Sequence, residues 1–244
     1  MDSKRFSPCS VLLACVTVMV ALGCAPTRPS VASDVPDPVV HLVPLPQSVQ
    51  RQRGELRLAR MVNVDADAAT PYARRALDEA LAGWGIASGD AATTRIRLQR
   101  VDDPALGEEG YRLEVADDIS LSARTDAGLL HAVQTLRQLL PAQPQPEYRL
   151  PRVTIADVPA YPWRGLSLDV ARSFLPVEYL ERTLDRMAFF KLNRLHLHLT
   201  DDQGWRIEIK AWPKLTQIGG ASAVKGGRSG FYTQGELRHL VAYA

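Results

Sequence analysis

The sequence predicts an α+β region followed by the opening strand–helix units of a parallel βα architecture. Three observations carry this expectation. Residues 39–159 mix short alternating apolar runs with two amphipathic helical segments. A strand, a helix and a second strand then follow between Gly165 and Thr200, the order of a βαβ unit whose strands are parallel. Between the two regions lies a proline-rich stretch, Pro141 to Pro162, which puts a domain boundary near Pro159.

The chain of 244 residues is long enough for one large or two ordinary domains. Its hydrophobic content of 46% and charged content of 23% are globular values, so a buried core is available. The net charge of +2, with no basic run, argues against nucleic acid as a partner. The three cysteines, Cys9, Cys15 and Cys24, all lie at the N-terminus. There Lys4 and Arg5 precede an uncharged stretch from Phe6 to Gly23, the pattern of an export signal. Gly23-Cys24 at its end is similar to a bacterial lipobox, although Ala21-Leu22 reverses the usual order of large and small residue. Residues 1–23 are therefore read as a lipoprotein-type signal peptide and Cys24 as the lipidation site. A single thiol left free in an oxidising compartment is a liability that lipidation removes. Ordinary cleavage beside an incidental cysteine, and an N-terminal membrane helix, are the alternatives. The expected location is the periplasm or cell envelope, with the membrane as partner through a lipid anchor. Residues 24–38, rich in Pro, Ser and Ala, form a flexible tether.

In the α+β region, Leu56 to Leu58 and Val62 to Val64 alternate as strands. Tyr72 to Trp84 has helical spacing, with Ala73, Ala76, Leu77, Ala80 and Leu81 on one side. Thr94 to Leu98, Tyr111 to Val115 and Ile119 to Ala123 alternate again. Asp126 is the expected N-cap of a helix through Leu140, ended by Pro141. His131, within that apolar stripe, is read as structural. Arg152 to Ile155 is a further strand.

The second region begins with a strand from Gly165 to Val170. Pro176 opens a helix in which Val177, Leu180, Leu184, Met187 and Phe190 recur at helical spacing. The next strand is Arg194 to Thr200. Thr233 and Glu236 form a capping box for another helix. Two strand–helix units are the start of a (β/α)8 TIM barrel, which needs eight in about 250 residues, so residues 160–244 are expected to be an incomplete, truncated barrel.

Charged groups cluster just past both strands: Asp169 and Arg172 after the first, Asp201 and Asp202 after the second. Strand ends of a βαβ unit share one rim, where ligands bind. Arg172 offers a planar fork of donors suited to vicinal hydroxyls or a carboxylate. His196 and His198 are two apart and face one side. A metal site of the His-x-His type is one reading, in a metal-dependent barrel hydrolase; packed histidines bonded to the carboxylates are the other. No further His/Cys cluster supports a metal, and no cofactor is expected.

The segments WRGLSLDVARSFLP (residues 163–176) and KLNRLHLHLTDDQGWRIEI (residues 191–209), with WPKLTQIGG after them, resemble glycoside hydrolase family 20, the β-N-acetylhexosaminidases. Val43-Pro44-Leu45-Pro46 and DAGLLHAVQTLRQLL resemble the family's non-catalytic α+β domain. The resemblance implies that residues 39–159 are that domain and 160–244 the start of the catalytic barrel. It implies that Arg172, rather than Arg164, and Asp201 hold the terminal sugar's hydroxyls, with His198 and Asp202 supporting. It further implies an exo-acting hydrolase of terminal β-linked N-acetylglucosamine or N-acetylgalactosamine, with an amino-sugar oligosaccharide as partner. In that family the substrate's own 2-acetamido oxygen is the nucleophile, a glutamic acid protonates the leaving oxygen, and an aspartate steadies the acetamido group. After the DDQGW block the only acidic residues are Glu208 and Glu236, so the Asp-Glu pair has no counterpart and the chain as it stands is expected to be inactive. The competing expectation is a non-catalytic, surface-anchored carbohydrate-binding lipoprotein.

Overall fold

A computed structural model describes residues 40–244, which form one compact unit. The expected signal peptide and tether, with Cys24, lie outside the described residues. Among those described, no helix is long and apolar enough to cross a membrane.

The first region is a seven-stranded mixed sheet with two helices on one face. Its elements are β1 (Ser48–Leu58), β2 (Met61–Ala66), α1 (Pro71–Gly83), β3 (Ala87–Ser88), β4 (Arg95–Arg100), β5 (Tyr111–Val115), β6 (Ile119–Ala123), α2 (Asp126–Leu139) and β7 (Tyr148–Asp157). Strand order is β1-β7-β5-β6-β4-β2-β3. β3, β2, β4 and β6 run parallel, whereas β5 pairs antiparallel with β6 and β7, and β7 with β1. Alternation sends Leu113, Val115, Ile119 and Leu121 inward, against Leu77 and Leu81 of α1 and Leu129, Val133 and Leu136 of α2. The opposite face carries Arg97, Arg112, Glu114 and Arg152, and ion pairs such as Arg97–Asp118 at 3.1 Å keep it soluble. β1 and β7 are longer than the short runs visible in sequence. Their register slips between Arg51 and Glu55, where Gly54 takes a φ of 95°; Pro151, which has no amide hydrogen to donate, stands opposite Glu55 beside this irregularity.

One helix start differs from expectation. Thr125, not Asp126, caps α2: its hydroxyl accepts from the Gly128 amide at 3.1 Å. The Asp126 carboxylate turns instead to α1 and accepts the Tyr72 and Ala73 amides at 2.9 and 3.0 Å, donors that Thr70 leaves unserved.

The second region holds β8 (Gly165–Asp169), α3 (Val177–Phe189), β9 (Arg194–His198), the short hairpin β10 (Thr200–Asp201) and β11 (Gly204–Trp205), α4 (Lys214–Gly219) and α5 (Gln234–Tyr243). β8 and β9 are parallel, with Ser167 opposite His196 and Asp169 opposite His198. Leu168 and Leu197 pack against Leu180, Leu184 and Leu240, so the helices cover one face. Among the described residues there is no closed barrel; β8 and β9 make a two-stranded sheet. The strand expected to reach Thr200 ends at His198, and the chain reverses into the hairpin. Pro176 sits at the N-cap of α3 in extended conformation, one residue earlier than a first-turn proline. The capping box of α5 forms as expected, with Glu236 accepting the Thr233 amide at 2.7 Å.

A polar seam joins the regions. Arg164 makes a two-pronged pair with Glu109 at 2.8 and 3.0 Å, and Asn193 donates to the same carboxylate at 3.1 Å. Beside it the buried Lys191 donates to the Tyr111 hydroxyl at 3.0 Å and lies 3.9 Å from Asp157. His131 is buried and bonds the Glu109 carbonyl through Nδ1 at 3.0 Å. Desolvation lowers its pKa, which suits a structural role.

Candidate functional site

The turn after β8 is shaped by Asp169. Its Oδ1 accepts the Ala171 and Arg172 amides at 3.0 and 3.1 Å, and Oδ2 accepts from Arg172 Nη1 at 2.7 Å. Short aspartate side chains favour such local closures over continued strand. On the neighbouring strand, β9 ends as the Val170 and Ala171 amides donate to the His198 carbonyl at 3.3 and 3.0 Å. The chain after His198 then turns back and presents Asp201 to the first loop.

The two predicted ligand-holding groups meet there. Arg172 Nη2 lies 2.7 Å from Asp201 Oδ2. His198 Nε2 shares that oxygen at 2.9 Å, and the Asp202 amide donates to Asp201 Oδ1 at 2.8 Å. Arg172 therefore bridges the ends of both strands through Asp169 and Asp201. Half of the Arg172 side chain remains exposed, so the donor fork opens on solvent. His198 joins the cluster, and Asp202 joins it through its backbone and through contact with Asp201. His196 is exposed and stands apart from this group. Among the described residues, no group of three His, Cys, Asp or Glu side chains is placed to hold a metal ion.

The electrostatics separate the two adjacent aspartates. The hydrogen bond from His198, then those from Asp202, and the charge of Arg172 hold Asp201 well below the usual carboxylate range. Asp202 shifts the other way because it shares a hydrogen bond with, and is repelled by, the Asp201 anion. Asp169 is lowered by its bond to Arg172, and Arg172 is raised by Asp169 and Asp201. A carboxylate pinned as an anion is a poor general acid but a good acceptor for hydroxyl protons. Beside a guanidinium that can only donate, it forms a donor–acceptor pair matched to neighbouring hydroxyls.

Asp169, which the sequence placed in the strand-end cluster without a role of its own, ends β8 and is the second carboxylate partner of Arg172. The sequence did not single out Arg206, which has no exposed surface and donates from Nε and both Nη atoms to backbone carbonyls of surrounding loops. The only sequence signal was its place in the DDQGWR block.

Comparison with known proteins adds the following. Residues 161–244 match the description "Glycosyl hydrolase family 20, catalytic domain", and residues 39–158 match "Glycosyl hydrolase family 20, domain 2". A Beta-N-acetylhexosaminidase of Cellulomonas fimi is 42% identical over 62% of this chain and 30% of its own length. A Beta-hexosaminidase of Porphyromonas gingivalis is 34% identical over 95% of this chain and 32% of its own. Among solved structures, the Streptomyces plicatus N-acetyl-beta-hexosaminidase in complex with Thio-NAglucal superposes with a TM-score of 0.73 at 37% identity, covering 90% of this chain and 45% of that one. The chain thus spans about a third of the length of the curated relatives it matches.

Proposed function

The chain belongs to glycosyl hydrolase family 20, and from that premise we propose that it carries the sugar-gripping part of an exo-β-N-acetylhexosaminidase. The substrate would be a terminal β-linked N-acetylglucosamine or N-acetylgalactosamine on an oligosaccharide. In this reading β8 and β9 are the first two staves of a (β/α)8 barrel, residues 160–244 belong to it, and residues 39–159 are the family's non-catalytic domain. The parallel register of β8 and β9 around α3, and the polar face of Ser167, Asp169, His196 and His198, support the barrel reading.

The observation that carries the proposal is the 2.7 Å approach of Arg172 to Asp201 across two strand ends, in an open rim. The guanidinium donates to hydroxyl oxygens of the non-reducing sugar, and the Asp201 anion accepts the hydroxyl protons. His198 and Asp202 hold Asp201 in place and ionised. The chemistry proper is substrate-assisted: the 2-acetamido oxygen attacks the anomeric carbon, with retention. After Asp202 these 244 residues hold Glu208 and Glu236 and no adjacent Asp-Glu pair, so the role proposed for residues 160–244 is the grip rather than the cleavage. We also assign Cys24 as a lipid anchor that tethers an exported protein to the envelope through residues 24–38; palmitate labelling lost in Cys24→Ser tests this.

The test of the central proposal has two arms. Purified chain should release no nitrophenol from a nitrophenyl N-acetylglucosaminide; turnover would contradict a role confined to the grip. N-acetylglucosamine titrated into labelled protein should shift the resonances of Arg172, His198, Asp201 and Asp202. Shifts confined to other regions would refute the grip.

A further inference from the structure

We propose that Arg206 is a positioning residue that fixes the Arg172 loop in its sugar-gripping geometry; this rests on the reading of Arg172 and Asp201 as the grip. Arg206 is wholly buried. Its Nε donates to the carbonyls of Val170 and Ala171 at 3.0 and 3.1 Å, and Nη2 donates to Ala171 again at 2.7 Å. These are the two residues immediately before Arg172. The remaining donors reach other loops: Nη2 to the Ser222 carbonyl at 2.7 Å, Nη1 to the Gly230 and Gly220 carbonyls at 2.9 and 3.3 Å. One planar group thus ties the strand-end loop to two later ones.

Arg206 has no carboxylate partner among the described residues: its hydrogen bonds end on backbone carbonyls. A buried cation held this way is costly to desolvate, and an apolar residue of the same volume would fill the space at lower cost. What an apolar residue cannot do is donate to the carbonyls of several loops at once. The fork therefore specifies where the loops stand rather than adding bulk. The surroundings are cut to fit it. A Cβ on Gly204 would come within 2.4 Å of the Ala171 carbonyl and 2.5 Å of Arg206 Nη2, so only glycine lets the hairpin pass. On the far side of Arg172, its own carbonyl accepts the Val224 amide at 2.9 Å, from the loop that follows the Ser222 contact. Asp169 caps the amides, Val224 anchors the carbonyl, and Arg206 locks the two residues before: the Arg172 backbone is held on every side while its side chain stays free to reach Asp201.

Lysine at this position keeps the charge but offers one nitrogen, which cannot serve both Ala171 and Gly230. The test compares Arg206→Lys and Arg206→Ala, with and without sub-denaturing guanidinium ion, using labelled protein. Three readouts are taken: cooperative melting, the Arg172 side-chain Nε resonance with the Asp201 carboxyl titration, and N-acetylglucosamine affinity. Both variants should keep the dispersed spectrum of the seven-stranded sheet, lose the Arg172–Asp201 signature, and bind the sugar roughly tenfold or more weakly. Guanidinium should restore the signature in Arg206→Ala and not in Arg206→Lys. If Arg206→Lys melts lower yet leaves Arg172, Asp201 and the affinity unchanged, Arg206 is merely structural and the proposal is overturned. Should Arg206→Ala fail to fold, the lysine variant decides alone. Arg172→Ala separates the two claims. If it leaves sugar affinity intact while Arg206→Lys still disturbs Asp201, the grip reading fails and the positioning role stands.

Discussion

The seven-stranded sheet and the β8–β9 pair use the same alternation to opposite ends. In the large sheet the inward residues of β5 and β6 have no exposed surface, and two helices complete the layer. In the small one the helices cover Leu168 and Leu197, while Ser167, Asp169, His196 and His198 line the other face together. Polar groups in the first region are spent on solvating an outer face; in the second they converge at strand ends. The difference teaches where stability and function reside. Apolar burial fixes the first region and makes it tolerant of surface change. The second keeps its charges where they interact with one another and with whatever enters the rim.

The strongest test of that contrast is a leucine truncated in each sheet. Leu121→Ala, at a position with no exposure among seven paired strands, should cost about 2–5 kcal/mol. Leu166→Ala on β8, which is 36% exposed, should cost less than about 1 kcal/mol. Denaturant melts measure both, and equal losses would erase the distinction. Next in size is the seam. Arg164→Ala leaves Glu109 half-buried with Asn193 as its remaining side-chain partner and should cost about 2–3 kcal/mol. The double variant Arg164→Met with Glu109→Leu should recover part of that loss, since no unpaired charge remains.

A pH effect of about 2 kcal/mol should come from the same seam. Desolvation pushes the Lys191 ammonium down to about 8 from its ordinary 10.5. Between those values the unfolded chain keeps a proton that the folded one has lost, so stability should rise with pH above about 8. Tyr111, raised by burial, stays protonated when folded, so above about pH 10 the unfolded tyrosine sheds its proton first and the trend reverses. Melting temperature measured across this window should pass through a maximum, and Lys191→Met should abolish the rise.

Legibility follows the same division. The strands β5 and β6 are plain in sequence because alternation is clean and both faces have one consistent environment. The strand-end argument placed Asp169, Arg172, Asp201 and Asp202 on one rim, since rim position depends only on local order, and the family resemblance singled out Arg172 and Asp201 among them. What depended on distant partners was not legible. Asp126 has the composition of a cap, yet Thr125 does that work while Asp126 serves a helix more than fifty residues earlier in the chain. β10 and β11 and the short α4 form because the chain reverses after His198, and six helical residues carry too little periodicity to announce themselves. Arg206 gives no sign of burial because its partners are carbonyls, which every residue has.

The smallest stability effect sharpens the comparison most. Arg172→Ala removes a guanidinium that is half exposed and paired to carboxylates in contact with water, and such pairs add little to stability. The turn itself should persist, because Asp169 still accepts the Ala171 amide and the His198 carbonyl still accepts the Ala171 and Val170 amides. Melting should therefore barely move, while the Asp201 carboxyl, still bonded to His198, titrates at a somewhat higher pH and the N-acetylglucosamine shifts at Asp201 disappear. A large drop in stability would instead mean that the strand ends are held together by this ion pair, and the rim would then belong with the core of the fold rather than with its chemistry.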